Sequence, residues 1–381
     1  IDAMAVPINA ALADEMKVLD PHDGRADLRE GTIRAVQNDV FRNDPVRLMR
    51  AVRLAASLRF HIEPGTQDLI RGDASLINSS SPERVREELL RTLAEKGARD
   101  SVRLMDGLGL LSALIPEIDE SRGVTQPKEH YYDVFNHLVE TVGFVEQILD
   151  GEDDGSYVQD MVPRFDGMTE YFNSEAANMH NRLTLLKLTG LLHDIGKPAT
   201  KTIEPSGRVR FLDHSIVGEE MAGAVLRRLR FGRRGVRSIR TMIRQHLRPR
   251  QMAAKNEMPT KRAIHRYFRD VGDVALDTLY LNMADFLSAR GPDLTRDQMA
   301  EGCKVIHHIL DVGMNMEERT EPPRLLLDGN DIIREFRLSP GPIIGRVLSA
   351  VAEAEAVGEV NTTEEAMRLA TKYLESGGHG A

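Results

Sequence analysis

The stretch LLKLTGLLHDIGKPATK, residues 185–201, restricts the fold more than any other part of the chain. Leucines on every face of a helical run describe an interior helix rather than an amphipathic surface one. Yet the run delivers His193 and Asp194 at its end, and Gly196-Lys197-Pro198 then breaks it. Burying an unpaired carboxylate among leucines costs on the order of several kcal/mol, so such a group is normally paired or bound to a metal. The chain must therefore build a helical interior around this segment and bring partners to its tip.

The 381 residues exceed one ordinary core and suggest roughly two to four domains. No apolar run approaches the length of a membrane span, and no signal peptide is visible. The single Cys303 excludes an internal disulfide framework and fits a reducing cytoplasm, the expected location. A net charge of −9 argues against a general nucleic-acid binder, although the charge is unevenly spread. The chain starts with Ile1 and IDAMAV begins in mid-pattern, so a fragment or processed form lacking its native N-terminus is expected.

Helical periodicity dominates, and the expected class is mainly α with several helical domains. The one strand-like region is MKVLDP and GTIRAV around the turn-rich PHDGRADLRE, which reads as a remnant β-hairpin. Asn43-Asp44-Pro45 and Ser81-Pro82-Glu83 carry helix-start signals. SVRLMDGLGLLSALIPEI reads as one helix ending at Pro116. Residues 150 to about 180 are acidic and weakly periodic, and read as a loop or irregular insertion. Near the end, LSPGPIIG reads as a helix–turn–helix elbow, and NTTEEAMRLATKYLE as a capped helix.

Histidines and acids recur on helix faces. His137 lies beside the stripe Val134, Leu138, Val142, Val145, and His193-Asp194 end the leucine run. His214 opens a further helix, His246 sits in IRQHLRP, and Asp285 lies in the otherwise apolar LYLNMADFLSARG. Imidazoles and carboxylates together suit a divalent transition ion or Mg²⁺. Such a cation lowers the pKa of its water and neutralises charge on a phosphoryl oxygen.

The order H…HD…D on separate helices resembles the HD-domain metal-dependent phosphohydrolases. The resemblance implies that His137, His193, Asp194 and Asp285 hold one divalent ion (Mg²⁺, Mn²⁺ or Ni²⁺), and that His214 and His246 can hold a second. His193 and Asp194 would then be catalytic, with Lys197 adding positive charge near the leaving group.

RNDPVRLMRAVRLAASLRF is the second informative stretch. Asp44 and Arg47 are three apart and share a helix face, and Arg50 and Arg53 extend the row. Two readings follow from the spacing: the pair addresses the polar edge of a base, or Asp44 caps a helix whose arginines face solvent. Together, IDAMAV, LDPHDGRADLREGTIRAV, RNDPVRLMRAVRLAASLRF and SPERVREELLRTL resemble the class II tRNA nucleotidyltransferase / poly(A) polymerase family. LLLDGNDIIREFRLSPGPIIGRVLSAVAEAEAVGEVNTTEEAMRLA resembles the C-terminal region of its bacterial members.

That resemblance implies that Asp44 and Arg47 pair with incoming ATP or CTP, with Arg50 and Arg84 near the nucleotide. Asn43 stands where the family usually has Glu. The family's Gly-rich turn and Asp-x-Asp pair would lie upstream of Ile1, so these residues are expected not to transfer nucleotides alone.

From Arg227 to Arg269, Lys and Arg crowd the chain and the only acid is Glu257. Arg227, Arg228, Arg233, Arg234, Arg248 and Arg250 are candidates for phosphate contact, with tRNA as the expected partner. A solvated helix face is the alternative.

The expected organisation is residues 1–38 as the end of a nucleotidyltransferase head and 39–122 as a nucleotide-selecting neck. Residues 123–300 would form the HD domain and 301–381 a tRNA-binding helical tail. The expected function is nucleotide addition to tRNA 3′ ends beside a phosphohydrolase domain. An HD hydrolase on a scaffold, or a non-catalytic RNA-binding module, are the alternatives.

Overall fold

The computed structural model describes residues 3–6, 18–149, 157–253, 257–317 and 326–376. It is mainly α-helical, as the periodicity predicts, with short two-stranded pairings only among the described residues. Two compact units divide the chain. One gathers Ile1–Val162, Asp166–His246 and Leu276–Ala300; the other gathers Pro163–Phe165, Leu247–Ala275 and Glu301–Ala381.

In the first unit, the Arg47–Leu58 helix buries Leu48, Met49, Val52 and Ala55 against helices Pro82–Ala94 and Ala98–Gly107. Arg53 crosses this layer to Glu88 at 2.6 Å. The leucine helix, Arg182–Leu192, buries every residue from Thr184 onward and packs along Val134–Leu149. Its one buried cation, Lys187, is satisfied by Glu146 at 3.1 Å and the Glu95 carbonyl at 3.2 Å. Asn181 caps its start, accepting from the Thr184 N–H at 2.9 Å. Helices His214–Arg228 and Arg233–Gln245 pack together beside it, and Ala275–Arg290 supplies a further inward-facing helix.

The second unit builds its own core from Leu327, Ile332, Val347, Val351, Ala354 and Ala370. Its helices Gly329–Phe336 and Pro342–Ala356 are joined at LSPGPIIG, with Arg337 in the left-handed region (φ 51°) ending the first. Thr362 and Glu365 form the capping box of the Thr363–Glu375 helix.

Three local expectations differ from the structure. Met16 and Lys17 of the first flank lie outside the described residues, and among the described ones the flanks do not pair as a hairpin: Gly24–Glu30 is a helix, and Thr32–Ile33 pairs in parallel with His61–Ile62. Leu19 instead bridges antiparallel to Ala5. The turn residues Asp23 and Gly31, both left-handed, bound the helix rather than a two-residue loop. The run towards Pro116 is interrupted at Gly109 (φ +75°), giving separate helices Ala98–Gly107 and Leu110–Leu114. The proposed insertion contains helices Tyr157–Met161 and Met168–Asn173 and the strand Glu175–Ala177; residues 150–156 lie outside the described set. Its order comes from distant partners, since Tyr171 donates to Asp277 at 2.6 Å.

Candidate metal centre

Four helices and one helix tip deliver six side chains to a single buried point in the first unit. His137 projects from Val134–Leu149, His193 caps the leucine helix, and Asp194 follows it. His214 opens the His214–Arg228 helix, His246 closes Arg233–Gln245, and Asp285 comes from Ala275–Arg290. Their potential ligand atoms form two groups: His137, His193, Asp194 and Asp285 in one, Asp194, His214 and His246 in the other.

Asp194 is shared, one oxygen to each group. Its Oδ2 lies 3.2 Å from both His137 Nε2 and His193 Nε2. Its Oδ1 lies 3.3 Å from His214 Nε2 and 3.6 Å from His246 Nε2. Asp285 Oδ1 completes the first group at 3.1 Å from His137 and 3.6 Å from His193.

Hydrogen bonds on the far side of each ring fix what faces inward. Nδ1 of His193, His214 and His246 lies 2.9, 2.6 and 2.7 Å from the carbonyls of Gly190, Phe211 and Ile243. A carbonyl only accepts, so each Nδ1 carries the proton. For His137 the same result follows through a relay. Thr141 donates to the His137 carbonyl, and Ser288 donates to the Asp285 carbonyl. The Ser288 oxygen therefore accepts from His137 Nδ1–H at 3.0 Å. All four Nε2 lone pairs point at carboxylate oxygens and at each other, with His137 and His193 only 3.3 Å apart. Lone pairs so arranged repel unless a proton or a cation lies among them. The supporting partners are of the kind that orient metal-bound histidines.

The unsatisfied atoms lie at the same point. Asp194 Oδ1 and the Nε2 atoms of His214 and His246 are buried without a hydrogen-bond partner. Lys197 Nζ touches Asp194 Oδ2 at 2.5 Å and is also held by Gln126 at 2.7 Å. Lys197 is itself buried, so its charge is directed at Asp194. Four inward Nε2 atoms, two ionised carboxylates and buried polar atoms left without partners fit a divalent cation that takes the place of a proton.

Burial opposes protonation of His193, but Asp194 and Asp285 outweigh it and raise its pKa to about 10. Burial likewise opposes ionisation of Asp194, yet His193 and Lys197 hold that carboxyl well below the usual range. Burial pushes His246 down to about 4, keeping it neutral.

The close approach has a backbone cause. Gly196 packs on the start of the His214 helix: a Cβ there would stand 2.5 Å from Gly218 N, and closer still to the His214 carbonyl oxygen. Gly196 thereby lets His214 reach Asp194.

Sequence reasoning missed Thr141, Ser288, Gln126 and His130. Ser288 was within reach, being one helical turn from Asp285. His130, edge-on to His137 with centroids 5.6 Å apart, carried no local signal.

At the neck, Asp44 makes a bidentate pair with Arg84, both contacts 3.0 Å, and lies 3.7 Å from Arg47. Its carboxylate also accepts from the Val46 N–H, at the start of the Arg47–Leu58 helix. Arg84 holds the Asp44 carboxyl below its ordinary pKa. Arg47 and Arg50 line a cavity of about 620 Å³ together with Gly24, Thr32 and Phe41.

Residues 59–122 match the family model "Probable RNA and SrmB-binding site of polymerase A", and residues 134–280 match the HD domain. The A-adding tRNA nucleotidyltransferase of Deinococcus radiodurans is 31% identical over 375 residues, spanning 97% of this chain and 77% of that protein. The chain belongs to the tRNA nucleotidyltransferase family. Another family member, the CC-adding tRNA nucleotidyltransferase of Thermus thermophilus, is 31% identical over 347 residues, covering 89% of this chain and 69% of its own. The fold is similar to that of a CCA-adding enzyme in its apo form, with TM-score 0.58 and 20% identity over 99% of this chain and 70% of the other.

In this tRNA nucleotidyltransferase relative the basic segment divides. Arg227, Arg228, Arg233 and Arg234 are exposed in the first unit, though Arg228 is paired with Glu117 at 2.7 Å. Arg248 and Arg250 are half-buried in the second unit, and Arg248 pairs with Asp270 at 2.9 Å. No helix among the described residues is long and apolar enough to cross a membrane.

Proposed function

We propose that this chain serves nucleotide addition to tRNA 3′ ends from ATP or CTP, and that its His/Asp centre hydrolyses phosphoesters. Residues 39–122 would select the nucleotide, 123–300 carry the hydrolase centre, and 301–381 contact tRNA. The names of its relatives support the first half. The observation that carries the second is the convergence of four histidine Nε2 atoms on two carboxylates.

His137, His193, Asp194 and Asp285 would hold one ion; Asp194, His214 and His246 would hold another. Four imidazoles favour Mn²⁺ or Ni²⁺ over Mg²⁺, which prefers an oxygen shell. The bound cations would supply a Lewis acid and a water of lowered pKa. The chain's own part is to hold the ligands rigidly, keep His246 neutral, and place Lys197 to balance charge on Asp194.

The test is metal uptake and hydrolysis of a 2′,3′-cyclic nucleotide with added Mn²⁺. A cation entering the first group must displace the proton that His193 holds up to about pH 10. Apparent Mn²⁺ affinity should therefore rise with pH, about tenfold per unit between pH 6 and 8, with proton release measurable calorimetrically. Affinity independent of pH, or no uptake, would remove the centre.

For the neck, support comes from Arg47 and Arg50 facing one cavity. In a protein that also carries the nucleotidyltransferase head, Arg47→Ala should raise KM for ATP or CTP about tenfold, the loss of roughly one charge-assisted hydrogen bond, with tRNA affinity within twofold. The reverse pattern would move Arg47 from nucleotide selection to RNA contact.

A further inference from the structure

One of the first group's ligands is less deeply buried than the other three. The side chains of His137, His193 and Asp194 are at most 1% exposed, whereas Asp285 is 16% exposed. Among these four ligands the Asp285 side is the one solvent reaches, and the residues there are built into place.

Arg290 ends the Asp285 helix. Its guanidinium stacks 3.9 Å from the Phe286 ring centroid, and Asp285 and Glu129 attract it. One face is thus occupied by an apolar ring, while the in-plane N–H edge remains the part that can donate.

Tyr131 faces the same helix end. Its backbone N–H donates to the Ala289 carbonyl at 2.7 Å. Its ring lies against Gly291, where an added Cβ would come within 2.9 Å of ring carbons. Although anchored at its base and edge-on to Tyr132, Tyr131 is 55% exposed as a residue. The preceding residue, His130, stands edge-on to the candidate ligand His137.

We infer that Tyr131 and Arg290 form the substrate lip of the metal centre, Arg290 taking a phosphoryl oxygen and Tyr131 stacking on a nucleobase. The substrate class is then nucleoside phosphoesters, cyclic or terminal, rather than small alkyl phosphates. A guanidinium fork matches two phosphoryl oxygens, and an exposed ring offers a sequence-tolerant face to any base. This inference rests on the phosphohydrolase reading above.

The experiment compares the Mn²⁺-loaded protein on 2′,3′-cyclic AMP and on glycerol 1,2-cyclic phosphate, which has no base. Tyr131→Ala should lower the kcat/KM ratio between the two about tenfold, through KM, and Tyr131→Phe should restore it. Arg290→Gln should raise KM for both at least tenfold, Arg290→Lys by less, with bound Mn²⁺ unchanged by elemental analysis. An unchanged ratio in Tyr131→Ala, or an Arg290→Gln defect confined to kcat or metal content, would overturn the lip. If the wild type hydrolyses neither compound, the phosphohydrolase reading fails by itself. Equilibrium binding of 2′,3′-cyclic AMP then decides the lip: binding weakened about tenfold in Tyr131→Ala upholds it, and equal or absent binding ends it.

Discussion

Asp194→Ala is expected to remove both bound cations and reduce phosphoester hydrolysis about 10³-fold, equivalent to some 4 kcal/mol of transition-state stabilisation. The size follows from geometry. Asp194 is the one residue common to both ligand groups, with Oδ2 facing His137 and His193 and Oδ1 facing His214 and His246. Truncation leaves only Asp285, which faces His137 and His193 but neither His214 nor His246, and it strands the buried Lys197 ammonium beside them. Loss of a ligand from one group alone, as in His246→Ala, should leave one ion and a smaller defect. Elemental analysis beside a hydrolysis assay checks this. Asp194→Ala protein that retains two equivalents of metal would sink the shared-carboxylate assignment.

The second large effect is expected from a single methyl group. Gly196→Ala should destabilise the first unit by about 3 kcal/mol, in the range seen for overpacked sites, and cut metal occupancy. Gly196 has φ −82°, a conformation alanine adopts without strain, so backbone preference is not the cause. The cause is contact: the new Cβ would stand 2.5 Å from Gly218 N and 2.9 Å from Gly218 Cα. Neither is a flexible side-chain end that can turn aside, so the His214–Arg228 helix has to shift. His214 Nε2, 3.3 Å from Asp194, shifts with it. Thermal unfolding with and without Mn²⁺ measures both consequences. Alanine tolerated at full stability and full metal content would show that the two glycine backbones are not in the contact described.

The chemistry of the centre was legible because its residues sit in local contexts that physics makes unusual. His193-Asp194 at the end of an all-apolar run, and Asp285 within another, each announce a buried polar group in need of a partner. Ser288 and Thr141 carried no such announcement, since hydroxyls on helices routinely bond their own backbone. The neck was legible only through resemblance. Spacing put Asp44 and Arg47 on one face, but could not show that the main partner of Asp44 is Arg84, forty residues away. The basic segment shows the same limit of spacing. Arg228 and Arg248 look free in sequence, and each is held by an acid from elsewhere in its own unit. The apparent hairpin failed because strand patterning does not name a partner, and Thr32–Ile33 found His61–Ile62.

By itself the sequence determined that an apolar helix must be buried, that it carries an imidazole and a carboxylate to its tip, and that a glycine follows them. Those are local properties, set by side-chain chemistry and helical period. Only the tertiary structure decided which oxygen of Asp194 meets which histidine, that a relay through Ser288 turns His137 inward, and that Asp285 is the least buried ligand of its group. Such relations depend on how separate helices pack, and packing is settled by contacts between residues far apart in the chain.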